Sequence, residues 1–139
     1  MQFHIVTPYG VIYQDAIQQV TLPTTTGYIT VCEHHAPLVS VLAPGEVTIY
    51  KDGYTVGLAV SGGMIEVRTS GEVFMMADTA ERAEHIDIER AEEKHKRAEE
   101  LLAQVHNIED VEFARMQAAL EKELARIRVG KKYKNLPLQ

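Results

Sequence analysis

EVFMMADTAERAEHIDIERAEEKHKRAEE, Glu72 to Glu100, contains the change of period that decides the fold. Its first six residues read as a short strand, and from Ile86 onward charges of both signs crowd around alanines, Ala91 and Ala98, that fall on one helical face. Upstream the strand reading repeats in FHIVTP, VIYQ, IQQVTLP, YITVC, EVTIY, YTVGLAV and MIEVRT. Turn signals separate them at Pro8-Tyr9-Gly10, Thr26-Gly27, Pro44-Gly45, Lys51-Asp52-Gly53, Ser61-Gly62-Gly63 and Ser70-Gly71. Many short strands with no helical crossover between them predict an antiparallel β-sandwich or flattened barrel, residues 1–84. Met75 and Met76 are expected in its core.

Downstream of residue 84 no glycine occurs until Gly130, and the pattern predicts a two-helix antiparallel hairpin over residues 85–139, so the chain as a whole is α+β. Ala91, Ala98, Leu101, Leu102 and Val105 share one face of the first helix, and Phe113, Leu120, Leu124 and Ile127 line the second. His106 to Asp110 interrupts them, with Asn107 as helix stop and Asp110 as the next N-cap. Gly130 is expected to end the second helix before a polar tail, Lys131 to Gln139. The apolar stripes are narrow and alanine-rich, which predicts a hairpin weakly held and able to dock or detach.

Composition excludes several function classes. The 139 residues suit one modest core plus an appendage, and no apolar run approaches the roughly 20 residues that a bilayer span requires. The N-terminus lacks the features of a signal peptide, so a soluble, unprocessed chain is expected. Up to Glu84 only Lys51, Arg68 and Arg82 stand against nine acidic residues, an acidic surface that disfavours nucleic acid. The single cysteine, Cys32, is expected as a small buried thiol. His34, His35, His85 and His95 show no helical ligand spacing, and no phosphate-binding glycine loop followed by Lys-Ser/Thr is present, so neither a metal site nor nucleotide hydrolysis is expected.

The charged run poses a sharper question. On a helix Asp87, Arg90, Lys94 and Arg97 share a face, while Arg115, Lys122 and Arg126 form a stripe on the second helix. An antiparallel hairpin brings the two stripes together, and facing cations repel unless acids or an anion lie between them. Either a polyphosphate fills that role, or Glu89, Glu92, Glu93, Glu99 and Glu100 neutralise the cations as ordinary neighbours one turn away.

Over nearly its whole length the chain resembles the epsilon subunit of the rotary F-type ATP synthases. The residues that carry the resemblance are HIVTPYGVIY, HHAPLVSVLAPG, SGGMIEV and ADTAERAEHIDIERA. It implies a ten-stranded sandwich and a C-terminal hairpin, with no catalytic site of its own. It also implies a place in the central stalk against the gamma subunit and the proteolipid ring, on the cytoplasmic face of the bacterial plasma membrane. The family's ATP-binding signature, Ile or Leu followed by Asp, two variable residues, Arg and Ala, is complete as Ile86-Asp87-Ile88-Glu89-Arg90-Ala91. By the same resemblance ATP is a regulatory ligand, not a substrate. Glu81 and Asp87 would hold its adenosine end, with Arg90, Arg97 and Arg126 as polar and phosphate contacts. Lys122 stands where a second-helix arginine is expected; it keeps the charge and loses the planar fork. With the hairpin extended toward the alpha and beta subunits, Arg115, Lys122, Arg126 and Arg128 would make the inhibitory contact.

The loop expected to face the membrane ring departs from the family pattern. Gly27-Tyr28-Ile29-Thr30-Val31 replaces the usual glycine-rich sequence, and a left-handed residue at Thr30 would be strained. His35 aligns with the family's histidine and is placed at the ring contact with Tyr28 and Glu33. Two readings of another class stand beside the stalk subunit: a free-standing adaptor or chaperone-like module, separated from it by co-purification with a large ATPase, and a small metal-dependent enzyme, separated by bound zinc or iron.

Overall fold

The structure, a computed structural model, describes residues 1–104 and 109–134. Ten strands come first: β1 (Gln2–Thr7), β2 (Gly10–Ala16), β3 (Gln19–Thr24), β4 (Gly27–Cys32), β5 (Leu38–Leu42), β6 (Gly45–Lys51), β7 (Tyr54–Val60), β8 (Gly63–Val67), β9 (Val73–Ala77) and β10 (Ala80–Arg82). A single 3-10 turn, Ala83–His85, leads into helix α1 (Ile88–Gln104), and α2 runs from Asp110 to Lys134. Hydrogen bonding connects the strands in the order β10-β7-β6-β3-β5-β8-β9-β1-β2, with β4 paired to β3. β3 touches β5 only at Thr24 and Leu42, and there the sheet bends into two facing layers.

Period-two burial explains which residues form the core. In β1 Phe3 and Ile5 are fully buried, and Val20 with Leu22 in β3, Val47 with Ile49 in β6, and Ile65 with Val67 in β8 repeat the alternation. Residues from both layers make one cluster, which holds no residue of α1 or α2. Lys51 bonds the Asp15 carboxylate across the open seam between β6 and β2. That contact holds the Asp15 carboxyl below its ordinary value, chiefly through the Lys51 hydrogen bond, and holds the Lys51 ammonium above its own.

Several expectations are corrected. The sheet is antiparallel except for β1 and β9, which run parallel from Phe3 opposite Val73 to Val6 opposite Met76. β5 arises from the apolar run after Pro37, and β10 has only three residues, too few for a period to show. Met75 is fully buried, whereas Met76 on the same strand is 47% exposed because adjacent strand residues face opposite ways. Cys32 is exposed for the same reason, its neighbour Val31 taking the inward position. Thr30 is an ordinary strand residue whose hydroxyl lies 2.9 Å from that of Thr21; the left-handed backbone falls at His34, with φ 64°.

The hairpin differs from expectation mainly at its ends. Gly130 does not stop α2, which continues to Lys134, because this glycine is where the helix passes Ile86 and Ile88: a Cβ there would stand 2.8 Å from Ile88 Cγ1. Its role is close approach, not termination. Leu101 and Phe113, expected on apolar faces, are 54% and 51% exposed. Among the described residues of the two helices, burial is confined to the root of the hairpin, at Ala91, Glu123, Ala125, Val129 and Gly130. Val105, the stop at Asn107 and the tail beyond Lys134 lie outside the described residues.

Candidate functional site

The root of the hairpin gathers most of the residues singled out from the charged run. Asp87 sits just ahead of α1, where its Oδ1 accepts a hydrogen bond from the Arg90 amide at 3.1 Å and its carbonyl accepts from the Ala91 amide at 3.0 Å. It is thus the N-cap of α1, three residues before the amide that its side chain satisfies. Ala91 is fully buried, so the last residue of the Ile-Asp-x-x-Arg-Ala motif is small where α1 is packed tightest. Ile86 joins Ala59, Ala83, Val129 and Tyr133 in a small apolar cluster beneath the hairpin.

Arg126 is the electrostatic centre of this root. Its Nε donates to Glu81 Oε2 at 2.8 Å, Nη2 to Glu81 Oε1 at 3.4 Å, and Nη1 to Glu123 Oε2 at 2.9 Å. The Arg126 side chain is 14% exposed, Glu123 8% and Glu81 31%. Burial alone would weaken the guanidinium's hold on its proton, but hydrogen bonds to Glu81 and Glu123 outweigh it and the group lies above its ordinary value. Strand β10 therefore presents Glu81 to α2, where it pairs directly with Arg126.

The remaining expected residues are dispersed. Arg90 and Arg97 are exposed on α1 and Lys122 is partly exposed on α2. Among the described residues no hydrogen bond or ion pair links Arg90 or Arg97 to α2; the one ion pair between the two helices is Glu92 with Lys131, at 3.0 Å. Arg115 and Arg128 are exposed on α2. Tyr28 lies at one end of β4, its hydroxyl 3.5 Å from the Glu46 amide, and Glu33 and His35 lie beyond the other end. Glu33 lies five positions along the chain from Tyr28, about 17 Å, so the three do not form one cluster. His35 is held locally, its Nδ1 2.7 Å from the Ala36 carbonyl.

Sequence reasoning missed a second anchor. Glu46 on β6 accepts from Lys132 Nζ at 2.9 Å, from the Tyr133 hydroxyl at 2.7 Å and from the Thr48 hydroxyl at 3.1 Å. Burial, then the Glu46 hydrogen bond, pushes the Tyr133 phenol well above its ordinary value. The isolated glycine in YTVGLAV was the available signal, since a glycine inside a strand marks a close approach. It is Gly57, and the Tyr133 ring lies against it. Glu123 also went unread, though it lies one helical turn before Arg126.

On the opposite layer the outer face carries an apolar row across neighbouring strands. Val41 pairs with Met64, Met64 with Met76, Met76 with Val6, and Val6 with Val11. Val11 is 62% exposed, Val41 52% and Met64 44%.

Residues 1–83 match the family model for the ATP synthase delta/epsilon chain, beta-sandwich domain, and residues 84–131 match the long alpha-helix domain of the same chain. Relatives include the ATP synthase epsilon chain of Herpetosiphon aurantiacus, 36% identical over 97% of both chains. That of Nitratidesulfovibrio vulgaris is 41% identical over 93% of this chain and 94% of its own. The fold is shared with a chain of the Euglena gracilis mitochondrial ATP synthase at a TM-score of 0.74 and 23% identity, covering 88% of this chain and 76% of that one. A chain of the Tetrahymena thermophila mitochondrial ATP synthase central stalk and c-ring gives a TM-score of 0.64 at 14% identity, over 97% and 96%. With both domains in sequence and relatives aligned end to end, this chain belongs to the ATP synthase delta/epsilon chain family.

Proposed function

We propose that this non-catalytic subunit couples rotation in the central stalk to the membrane ring and restrains ATP hydrolysis through its hairpin. The sandwich binds the gamma subunit and the proteolipid ring, at the cytoplasmic face of the bacterial plasma membrane. The apolar row from Val11 to Val41 supports a partner on that layer, because contiguous exposed apolar surface marks interaction sites. No described helix is long and apolar enough to cross a membrane, in keeping with peripheral attachment.

The observation that carries the regulatory half is the manner of docking. α2 rests on β6, β7 and β10 through its C-terminal part, by the Arg126–Glu81 pair, the Lys132 and Tyr133 contacts to Glu46, and the small cluster around Val129. The sandwich core has no share in it, so the hairpin can leave without unfolding the sandwich. Once extended, it carries the exposed Arg115 and Arg128, with Lys122 and Arg126, toward the alpha and beta subunits. ATP favours the docked form by binding at Glu81, Ile86, Asp87, Arg90, Ala91, Arg97, Lys122 and Arg126. At about 100 times its dissociation constant a ligand of the docked form alone adds roughly 2.7 kcal/mol to it. The test is hydrolysis by the assembled enzyme with the full chain and with the chain cut at residue 88. The truncated assembly is expected to hydrolyse ATP faster, and equal rates would leave the hairpin without a regulatory role.

A further inference from the structure

Arg126 faces two carboxylates with one positive charge. Glu81 takes Nε and Nη2, and Glu123 takes Nη1, so the guanidinium's edges toward both are spent before any ligand arrives. The two acids differ in their freedom to leave. Glu81 is the middle residue of strand β10, with its side chain 31% exposed, and can turn toward water. Glu123 lies one turn before Arg126 on the same helix with its side chain 8% exposed, buried beside the guanidinium. Two of the five guanidinium N–H groups remain for phosphate oxygens, which must approach Arg126 with the Glu123 carboxylate beside them.

We infer that Glu123 is the affinity-setting residue of the nucleotide site, an internal anion that competes with phosphate for Arg126 and holds ATP binding weak. The inference rests on the reading of ATP as ligand of the docked hairpin. Its consequence is discrimination by charge: the Glu123 carboxylate opposes each added phosphate, while the docked hairpin without nucleotide keeps Arg126 satisfied and buried at no net gain in positive charge. A site lacking this carboxylate would hold nucleotide at lower concentration and lose its sensitivity to the cell's ATP level.

Glu123→Gln keeps the shape and an oxygen acceptor for Arg126 and removes the charge. Calorimetry of the full chain is expected to show ATP binding about tenfold tighter in the variant, with a smaller gain for ADP and the least for AMP. The gain should vanish in an Arg126→Ala background. A merely structural role would move all three nucleotides alike. If ATP binds the unaltered chain and the variant shows no gain, or an equal gain for AMP, Glu123 has no such role and ATP remains the ligand. If neither protein binds ATP at millimolar concentration, the ligand reading falls and this inference with it. In the unaltered chain, saturating ATP is expected to shift the nuclear magnetic resonance of the Glu123 carboxyl carbon; binding with that resonance unmoved would overturn the inference even if the variant folds poorly.

Discussion

The ring of Tyr133 occupies the space above Gly57: a Cβ built on Gly57 would overlap the ring and stand 2.7 Å from its hydroxyl oxygen. The last turn of α2 is therefore fitted to a bare strand backbone. Gly57→Ala must turn the ring aside and break its bond to Glu46, at a cost to docking of about 1–2 kcal/mol. Hydrogen exchange is the measurement. Amides of α2 near Tyr133 should exchange faster while those of β1 and β8 keep their protection, and unchanged α2 exchange would show that Tyr133 does not secure the helix.

The same tyrosine gives docking a dependence on alkaline pH. Its phenol titrates above its ordinary value in the folded chain, so the docked form holds a proton that the free form, with a tyrosine near pH 10, gives up first. The contribution is complete below about pH 10 and falls as pH rises toward the folded value. Tyr133→Phe should weaken docking near neutrality by about 1 kcal/mol and remove this alkaline limb. A limb that persists in the variant would assign it to another group.

Arg126→Ala strands the buried Glu123 beside Glu81. Breaking a fully buried pair costs about 3–5 kcal/mol, and with Glu81 partly exposed a loss of about 2–3 kcal/mol in hairpin docking is expected. Arg128→Ala, two residues on and exposed, should stay within about 0.5 kcal/mol. Thermal melts of α2 helicity separate the two variants; equal effects would contradict the assignment of Arg126 as the root's anchor.

Asp87 caps α1 in the chain itself, so a loss of binding in Asp87→Ala has two causes unless they are separated. Alanine should cost about 1 kcal/mol of helix stability, whereas serine retains the cap and loses the charge. ATP affinity reduced in Asp87→Ser with an unchanged melt would assign the carboxylate to the ligand. A normal affinity would leave Asp87 a cap only.

How far the sequence revealed this arrangement depends on the range over which each feature acts. Alternation marked FHIVTP as a strand, and the alanine spacing marked α1, because both patterns are local. The parallel pairing of β1 with β9 joins residues about 70 positions apart in the chain, as Phe3 with Val73, and no local period encodes it. Gly130 carries the same letter whether it stops a helix or admits Ile88, and only packing distinguishes the two. Glu81 and Arg126 were named through the family resemblance and stand together; the carboxylate that completes their group, Glu123, lay outside that resemblance and needed the three-dimensional placement to gain meaning.

The central claim is that a docked hairpin leaves hydrolysis unrestrained and an undocked one restrains it. With Cys32 replaced by serine, Glu46→Cys and Lys132→Cys place one thiol on β6 and one on α2 where the long Glu46 and Lys132 side chains now meet, and a bis-methanethiosulfonate spacer bridges the two through disulfides that reduction cleaves. ATP hydrolysis is then measured on the assembled synthase under oxidising and reducing conditions. The account predicts fast hydrolysis when the cross-link locks the hairpin down and slower hydrolysis when reduction frees it; a locked enzyme as slow as the freed one would contradict it.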